Sequence, residues 1–178
     1  AKDFIIMALE VSEKFNTPAI LRSTTRVSHS RSLVEVGNRK MPDRKIGFVK
    51  NPPRFVPIPV WGRPMRQKVE DRLNLLKSAS ESSPANRIEW RKKGLGIITS
   101  SISYQYSREV WPEASVLKLG LSYPFPDDLI RSFAKSVEKV LVVEELDPFI
   151  EEHVRALGIE CLGREYVPGI GELSVDRL

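Results

Sequence analysis

Cysteine is almost absent from this 178-residue chain: Cys161 stands alone. A single thiol excludes an internal disulfide and a cysteine-ligated iron–sulfur cluster within these residues. It sits in the apolar stretch Ile159, Cys161, Leu162, which reads as a plain buried thiol in a reducing cytoplasm. Only two histidines occur, His29 and His153, with no metal-ligand spacing around either, so no zinc motif is readable. No apolar run approaches the roughly 18 residues of a membrane helix, and no signal-peptide pattern is visible. Glycine-rich phosphate loops are also missing. Gly94-Leu95-Gly96 and Gly169-Ile170-Gly171 are too short, and the first opens a strand where a dinucleotide loop must close one.

Charge and proline are present, and both are unevenly spread. Residues 1–37 carry a net charge of +1, residues 38–93 of +10, and residues 94–178 of −6, for +5 overall. Seven of the 13 prolines fall in the basic block, so the pI near 9.4 belongs to a connector. The chain opens at Ala1, without an initiator methionine, straight into an amphipathic pattern. The expectation is an internal piece of a longer protein.

In residues 1–37, Phe4, Ala8, Val11 and Phe15 recur on one helical face. Asn16-Thr17-Pro18 stops that helix, because the residue before proline is pushed out of helical geometry. Ala19-Ile20-Leu21 predicts a short strand, followed by a polar loop from Ser23 to Arg31. A helix–strand pair of this kind closes an α/β sheet, and one strand cannot form that sheet alone. The expectation is therefore a remnant of another α/β domain. Residues 38–93 predict an extended connector, polyproline-like at Asn51-Pro52-Pro53 and Pro57-Ile58-Pro59. One helix is expected there, from about Arg66 to Ala79.

Residues 94–178 predict an α/β fold: a small parallel sheet with helices on both faces. Leu95-Gly96-Ile97-Ile98-Thr99, Val116-Leu117-Lys118-Leu119 and Val140-Leu141-Val142-Val143 read as its strands. Helices are expected over Ser100–Val110, after Pro124-Phe125-Pro126-Asp127-Asp128, and after Asp147-Pro148, which should cap the last one. Gly158 should close it.

Two places attract functional readings. In Thr24–Arg31, Arg26 suits bidentate pairing with a substrate carboxylate, and Thr25 and His29 suit hydrogen bonding beside it; a solvated or interface loop is the alternative. Glu144 and Glu145 end the third strand, where α/β sheets gather ligands. They suit acid–base or cation work, or else belong with Asp147, Glu151 and Glu152 to acids that complement a helix start. Tyr104, Tyr106 and Trp111 read as packing. The basic block admits a freestanding binding module for nucleic acid or acidic protein, but it contains no nucleic-acid module, so a contact surface for acidic neighbours is preferred.

Several strings go further. Ser12-Glu13-Lys14-Phe15-Asn16-Thr17-Pro18, Thr24-Thr25-Arg26-Val27-Ser28-His29-Ser30-Arg31, Ser82-Ser83-Pro84-Ala85-Asn86-Arg87-Ile88-Glu89-Trp90 and Val143-Glu144-Glu145-Leu146-Asp147-Pro148-Phe149 occur in order. Together they resemble the alpha subunit of indolepyruvate:ferredoxin oxidoreductases. The resemblance implies that 1–37 ends a thiamine pyrimidine-binding domain, 38–93 is a connector, and 94–178 is a transketolase-C-terminal-like domain that organises subunit contacts. It implies, for the full enzyme, thiamine diphosphate, Mg2+ and 4Fe-4S clusters. Its implied partners are the rest of the alpha subunit, a beta subunit, ferredoxin and coenzyme A. Its implied substrate is an aryl pyruvate, with pyruvate or branched 2-oxoacids as the alternative. The chain departs from the family in lacking a Gly-Asp-Gly or Gly-Asp-Ser diphosphate motif and a cysteine cluster, and Val60-Trp61-Gly62-Arg63-Pro64 replaces a more usual Ala-Asn-Ala-Arg-Arg. No cofactor or metal site is expected in this stretch, which should be inert by itself.

Overall fold

Runs of β-branched and aliphatic residues near the middle of the chain lie side by side and build the centre of the molecule. The structure, a computed structural model, describes residues 2–39 and 47–178; residues 40–46 of the expected connector lie outside it. In chain order the elements are α1 (Lys2–Phe15), α2 (Thr25–His29), α3 (Pro52–Phe55), α4 (Pro59–Glu81), β1 (Arg87–Glu89), β2 (Lys92–Ser100) and α5 (Ser103–Val110). There follow β3 (Ala114–Leu119), α6 (Asp127–Lys135), β4 (Lys139–Val143), α7 (Phe149–Ala156) and a 3-10 turn at Val175–Arg177.

The sheet order is β1-β3-β2-β4. β2 pairs in parallel with β3 and β4, with Ile97 opposite Val116 on one side and Leu141 on the other. β1 adds an antiparallel edge to β3. Alternation sends Ile97, Val116, Leu141 and Val143 to one face, where Tyr104 of α5, Val167 and Leu173 cover them. Ile98, Leu117, Val140 and Val142 point the other way, into Ile130 and Phe133 of α6 and Ile150 and Val154 of α7. Helices thus cover both faces of an α/β sheet, as expected. Each fully buried aliphatic side chain here contributes about 1.5–3 kcal/mol.

Close approach explains one glycine. A Cβ on Gly96 would stand 2.7 Å from Val137 Cγ2 and 3.0 Å from Phe133 Cε1, so α6 packs down only where β2 has no side chain. The ladder skips between Lys92 and Gly96. There the Ser115 hydroxyl accepts from the Arg91 N–H (2.9 Å) and lies 3.0 Å from the Lys92 carbonyl, filling the gap.

Residues up to 89 differ from expectation in four ways. Residues 19–21 form no strand: Ile20 is 94% exposed, and a lone extended segment with no hydrogen-bonding neighbour is not a strand. The polar loop contains the short helix α2, because the Thr24 hydroxyl caps it by accepting from the Val27 N–H (3.4 Å). Among its described residues the connector is largely helical: α4 runs 23 residues, with Pro59 in its first turn, where a missing N–H costs little, and Pro64 inside the helix, where one helical hydrogen bond is lost. Pro52 likewise starts the single turn α3, which replaces the expected extended run. Finally, Arg87–Glu89, assigned to the connector by composition, joins the sheet, so one edge of it is antiparallel.

The α4 helix is held to the sheet domain at its last turns. Lys77 Nζ meets Asp127 Oδ2 at 2.6 Å. The Glu81 carboxylate accepts from the Asp128 and Leu129 N–H groups at 3.0 and 2.9 Å, capping α6. Asn86 donates to the Ser80 carbonyl (2.9 Å) and accepts from the Gly120 and Leu121 N–H groups, both at 2.9 Å.

Candidate functional site

Reversal of the winding at β2 decides where a site should form. The crossover through α5 lies on one face and that through α6 on the other, so the crevice opens beyond the carboxyl end of β2. The loops there carry unusual backbone: Ser101 after β2 has φ 53° and Leu146 after β4 has φ 62°. Left-handed geometry in such residues costs of order 1 kcal/mol or more and clusters at functional sites. Thr99 at the end of β2 is fully buried, its hydroxyl donating to the Val143 carbonyl at 2.7 Å.

The first of the two sequence-derived groups docks on the carboxy-terminal tail. Arg26 of α2 grips Glu172 of the carboxy-terminal tail: Nε contacts Oε1, and Nη2 donates to Oε2 at 3.0 Å. Hydrogen bonding and attraction from Glu172 raise the Arg26 pKa, with smaller contributions from Tyr106 and Glu145. Hydrogen bonding to Arg26 in turn holds the Glu172 carboxyl below the usual range. The bidentate carboxylate pairing expected of Arg26 is present, with a carboxylate of the same chain. Thr25 and His29 are both exposed on α2. Thr24, passed over in the sequence reading, does the capping.

Glu144 and Glu145 part company. Glu144 is 9% exposed and accepts from the Ile150 and Glu151 N–H groups at 2.8 and 2.9 Å, so it caps α7 from the preceding strand end. Burial pushes its carboxyl above the usual range, opposed by those two N–H groups and by Arg164. Asp147, expected to cap α7, contributes only its carbonyl, which accepts from Phe149 N–H at 2.8 Å. Glu145 is half-buried, and its charge adds a little to the raised pKa of Arg26. Two polar atoms are buried without a partner among the described residues, Tyr106 Oη and Arg164 Nη1.

Two shallow depressions, of about 380 and 330 Å³, lie at the opposite end of the sheet, lined by Lys92, Leu95 and Ala114 in one and by Val140 and Ile159 in the other. They sit at strand amino ends and are not where an α/β sheet binds ligands. Among the described residues no group of three or more His, Cys, Asp or Glu is placed to hold a metal ion. The buried Cys161 thiol is pushed up in pKa by burial, so it is a poor ligand. With a single cysteine the stretch has no donor set for a cysteine-ligated iron–sulfur cluster. No described helix is long and apolar enough to cross a membrane.

No protein-family model matches the chain. Curated proteins similar to it include "Indolepyruvate oxidoreductase subunit IorA" of Methanothermobacter marburgensis, 40% identical over 161 residues that cover 87% of this chain and 26% of the relative. The protein of that name from Pyrococcus abyssi is 37% identical over 194 residues, covering 99% of this chain and 30% of the relative. That of Archaeoglobus fulgidus is 36% identical over 188 residues, covering 100% and 30%. The chain thus spans between about a quarter and a third of the length of the curated relatives it matches. Among solved structures, it resembles 2-oxoglutarate:ferredoxin oxidoreductase from Magnetococcus marinus, with 2-oxoglutarate, coenzyme A and succinyl-CoA bound. The TM-score is 0.52 at 18% identity, over 93% of this chain and 28% of that one, which speaks for the fold.

Proposed function

We propose, from the premise that the chain belongs to the IorA family of indolepyruvate oxidoreductase subunits, that these residues are a structural and subunit-organising stretch of a 2-oxoacid:ferredoxin oxidoreductase. The whole enzyme would oxidise indolepyruvate or a related aryl pyruvate in the cytoplasm. Thiamine diphosphate, Mg2+, 4Fe-4S clusters, coenzyme A and ferredoxin would be handled by residues outside this stretch and by a second subunit. The three-part division at residues 37/38 and 93/94 belongs to the same reading, with the sheet domain extended back to take in β1.

One observation carries it. From β1 onward the chain closes its own core, whereas residues before it leave theirs open. Ile5, Leu9, Leu33, Val36, Phe48, Val49 and Val60 are each at least half exposed, and α1 buries nothing fully. So many open apolar side chains in one stretch mark a surface made to be covered. Within the reading, Thr25, Arg26 and His29 stand at the edge of the active site, with Arg26 free to exchange Glu172 for a substrate carboxylate.

The test uses the full-length subunit with its second subunit. Replacing Leu33, Val36 and Phe48 together by serine should abolish co-purification of the complex and with it ferredoxin reduction. The 178-residue chain alone should reduce no ferredoxin when given indolepyruvate, coenzyme A and thiamine diphosphate. Turnover by the chain alone, or an intact complex from the triple variant, would overturn the proposal.

A further inference from the structure

At the β1–β3 edge the antiparallel register sets Arg87 directly opposite Lys118. Like charges facing across a strand pair repel, and a protein seldom leaves them so without something to offset them. Glu89, two residues along β1, offsets only part of it. Its carboxylate takes the Tyr104 hydroxyl at 2.7 Å, Arg87 Nη2 at 2.9 Å and Arg108 Nε at 3.5 Å. Arg87 also donates to the Tyr104 hydroxyl at 2.8 Å. Two cations thus share one carboxylate, which leaves one positive charge unbalanced, and Lys118 adds a second.

Lys118 is the one left over. It is half-buried, and among the described residues its ammonium has no hydrogen-bond acceptor and no ion-pair partner. It rests instead on two rings, 4.9 Å from the centroid of Tyr104 and 5.9 Å from that of Phe4 on α1. Arg87 Cζ stands 5.2 Å from the same Tyr104 ring. Desolvation and the nearness of Arg87 lower the Lys118 pKa, and Glu89 recovers only part of the difference. An ammonium has three donors to satisfy, and ring faces satisfy none of them as a hydrogen-bond acceptor would.

We propose that this edge is an oxyanion-binding site, in which Lys118 and Arg87 together take a phosphate or carboxylate group. An oxyanion there would supply the acceptor that Lys118 lacks and the negative charge that the Arg87–Lys118 pair calls for. The Tyr104 hydroxyl and the Glu89 carboxylate, itself paired with Arg108, hold Arg87 in place, and Phe4 forms an apolar wall. The site lies at the β1–β3 edge and uses none of Thr25, Arg26 and His29, so its test is separate from that of the enzymatic reading.

The test is an NMR titration of the chain, observing the Lys118 ammonium and Arg87 side-chain signals. Sodium phosphate is one arm and sodium acetate the other, with sodium chloride holding ionic strength constant. Saturable shifts at both residues are expected, with a dissociation constant on the order of millimolar. The arm that saturates at lower concentration assigns the ligand as phosphate or carboxylate. Lys118→Met should weaken binding about tenfold or more, the loss of one charge-assisted bond, and Lys118→Arg should restore most of it. Arg87→Met, whose side chain is half exposed and whose loss leaves the Tyr104–Glu89 bond in place, should weaken binding while the chain stays folded. Shifts that never saturate in either arm, or that are equal in wild type and Lys118→Met, would overturn the proposal.

Discussion

Removing the Glu81 carboxylate should loosen the sheet domain although Glu81 lies outside it. The α6 helix starts after Pro126 and has no capping side chain of its own. Its Asp128 and Leu129 N–H groups both donate to Glu81, at the end of α4. Loss of a helix cap costs about 0.5–2 kcal/mol. A carboxylate at the positive end of a helix adds about 0.3–1 kcal/mol. The α6 helix buries Ile130 and Phe133 completely, so its first turn cannot fray without loosening the core beneath it. Glu81→Ala should therefore cost about 1–2.5 kcal/mol in all. For a unit of this size each kcal/mol moves Tm by about 4–8 °C, so a fall of about 4–20 °C is expected by circular dichroism. Glu81→Gln keeps a neutral acceptor for one N–H and should fall between the two. Hydrogen exchange should quicken at Asp128 and Leu129 in the alanine variant. A Tm for Glu81→Ala within about 1 °C of wild type would refute the capping argument.

Other expectations follow from the same structure. Gly96→Ala should destabilise by about 1–3 kcal/mol in urea unfolding, because its methyl meets Val137 and Phe133; an unchanged midpoint would contradict the packing. Glu144→Ala leaves the Ile150 and Glu151 N–H groups buried without their acceptor and should cost about 1–3 kcal/mol by the same measurement. Because the folded-state pKa of Glu144 is raised, the folded chain binds its proton more tightly. Its ionisation therefore lowers stability as pH rises from the ordinary carboxylate range through the raised value, and Glu144→Gln should flatten that part of the pH–stability curve. Asp127 behaves oppositely: burial alone would raise its carboxyl, but hydrogen bonds from Lys77 and His153 together hold it below its ordinary value of 3.8. Its contribution is present above that value and lost as pH falls through the lower one, so Asp127→Asn should make acid unfolding less steep below about pH 4. Arg26→Ala, at an exposed pair, should leave thermal unfolding unchanged while freeing α2, seen as faster hydrogen exchange at Val27 and Ser28.

Much of the sheet domain was legible because its signals are local. Val140–Val143 is continuous and β-branched, which fits a strand covered on both sides. Leu129, Ile130 and Phe133 recur at helical spacing. Gly158 has φ 76°, as a helix-closing glycine should. The ordered strings gave the family for a different reason: several now have visible structural work, such as Asn86, which joins the end of α4 to the loop after β3.

What the sequence by itself determined, then, is the alternation of strand and helix after residue 94, the two-faced core, and the imbalance of charge along the chain. Each follows from side-chain chemistry repeating along a few residues. Only the tertiary structure decided which segments found partners. Residues 19–21 have strand-forming side chains and no neighbour to bond with, while Arg87–Glu89, with little strand character, pairs because β3 presents an open edge. Long-range placement likewise made Glu144 and Glu81 caps, and gave Arg26 its carboxylate from Glu172, 146 residues away. Hydrogen bonds between distant groups depend on where the backbone brings them, and spacing along the chain carries no record of that.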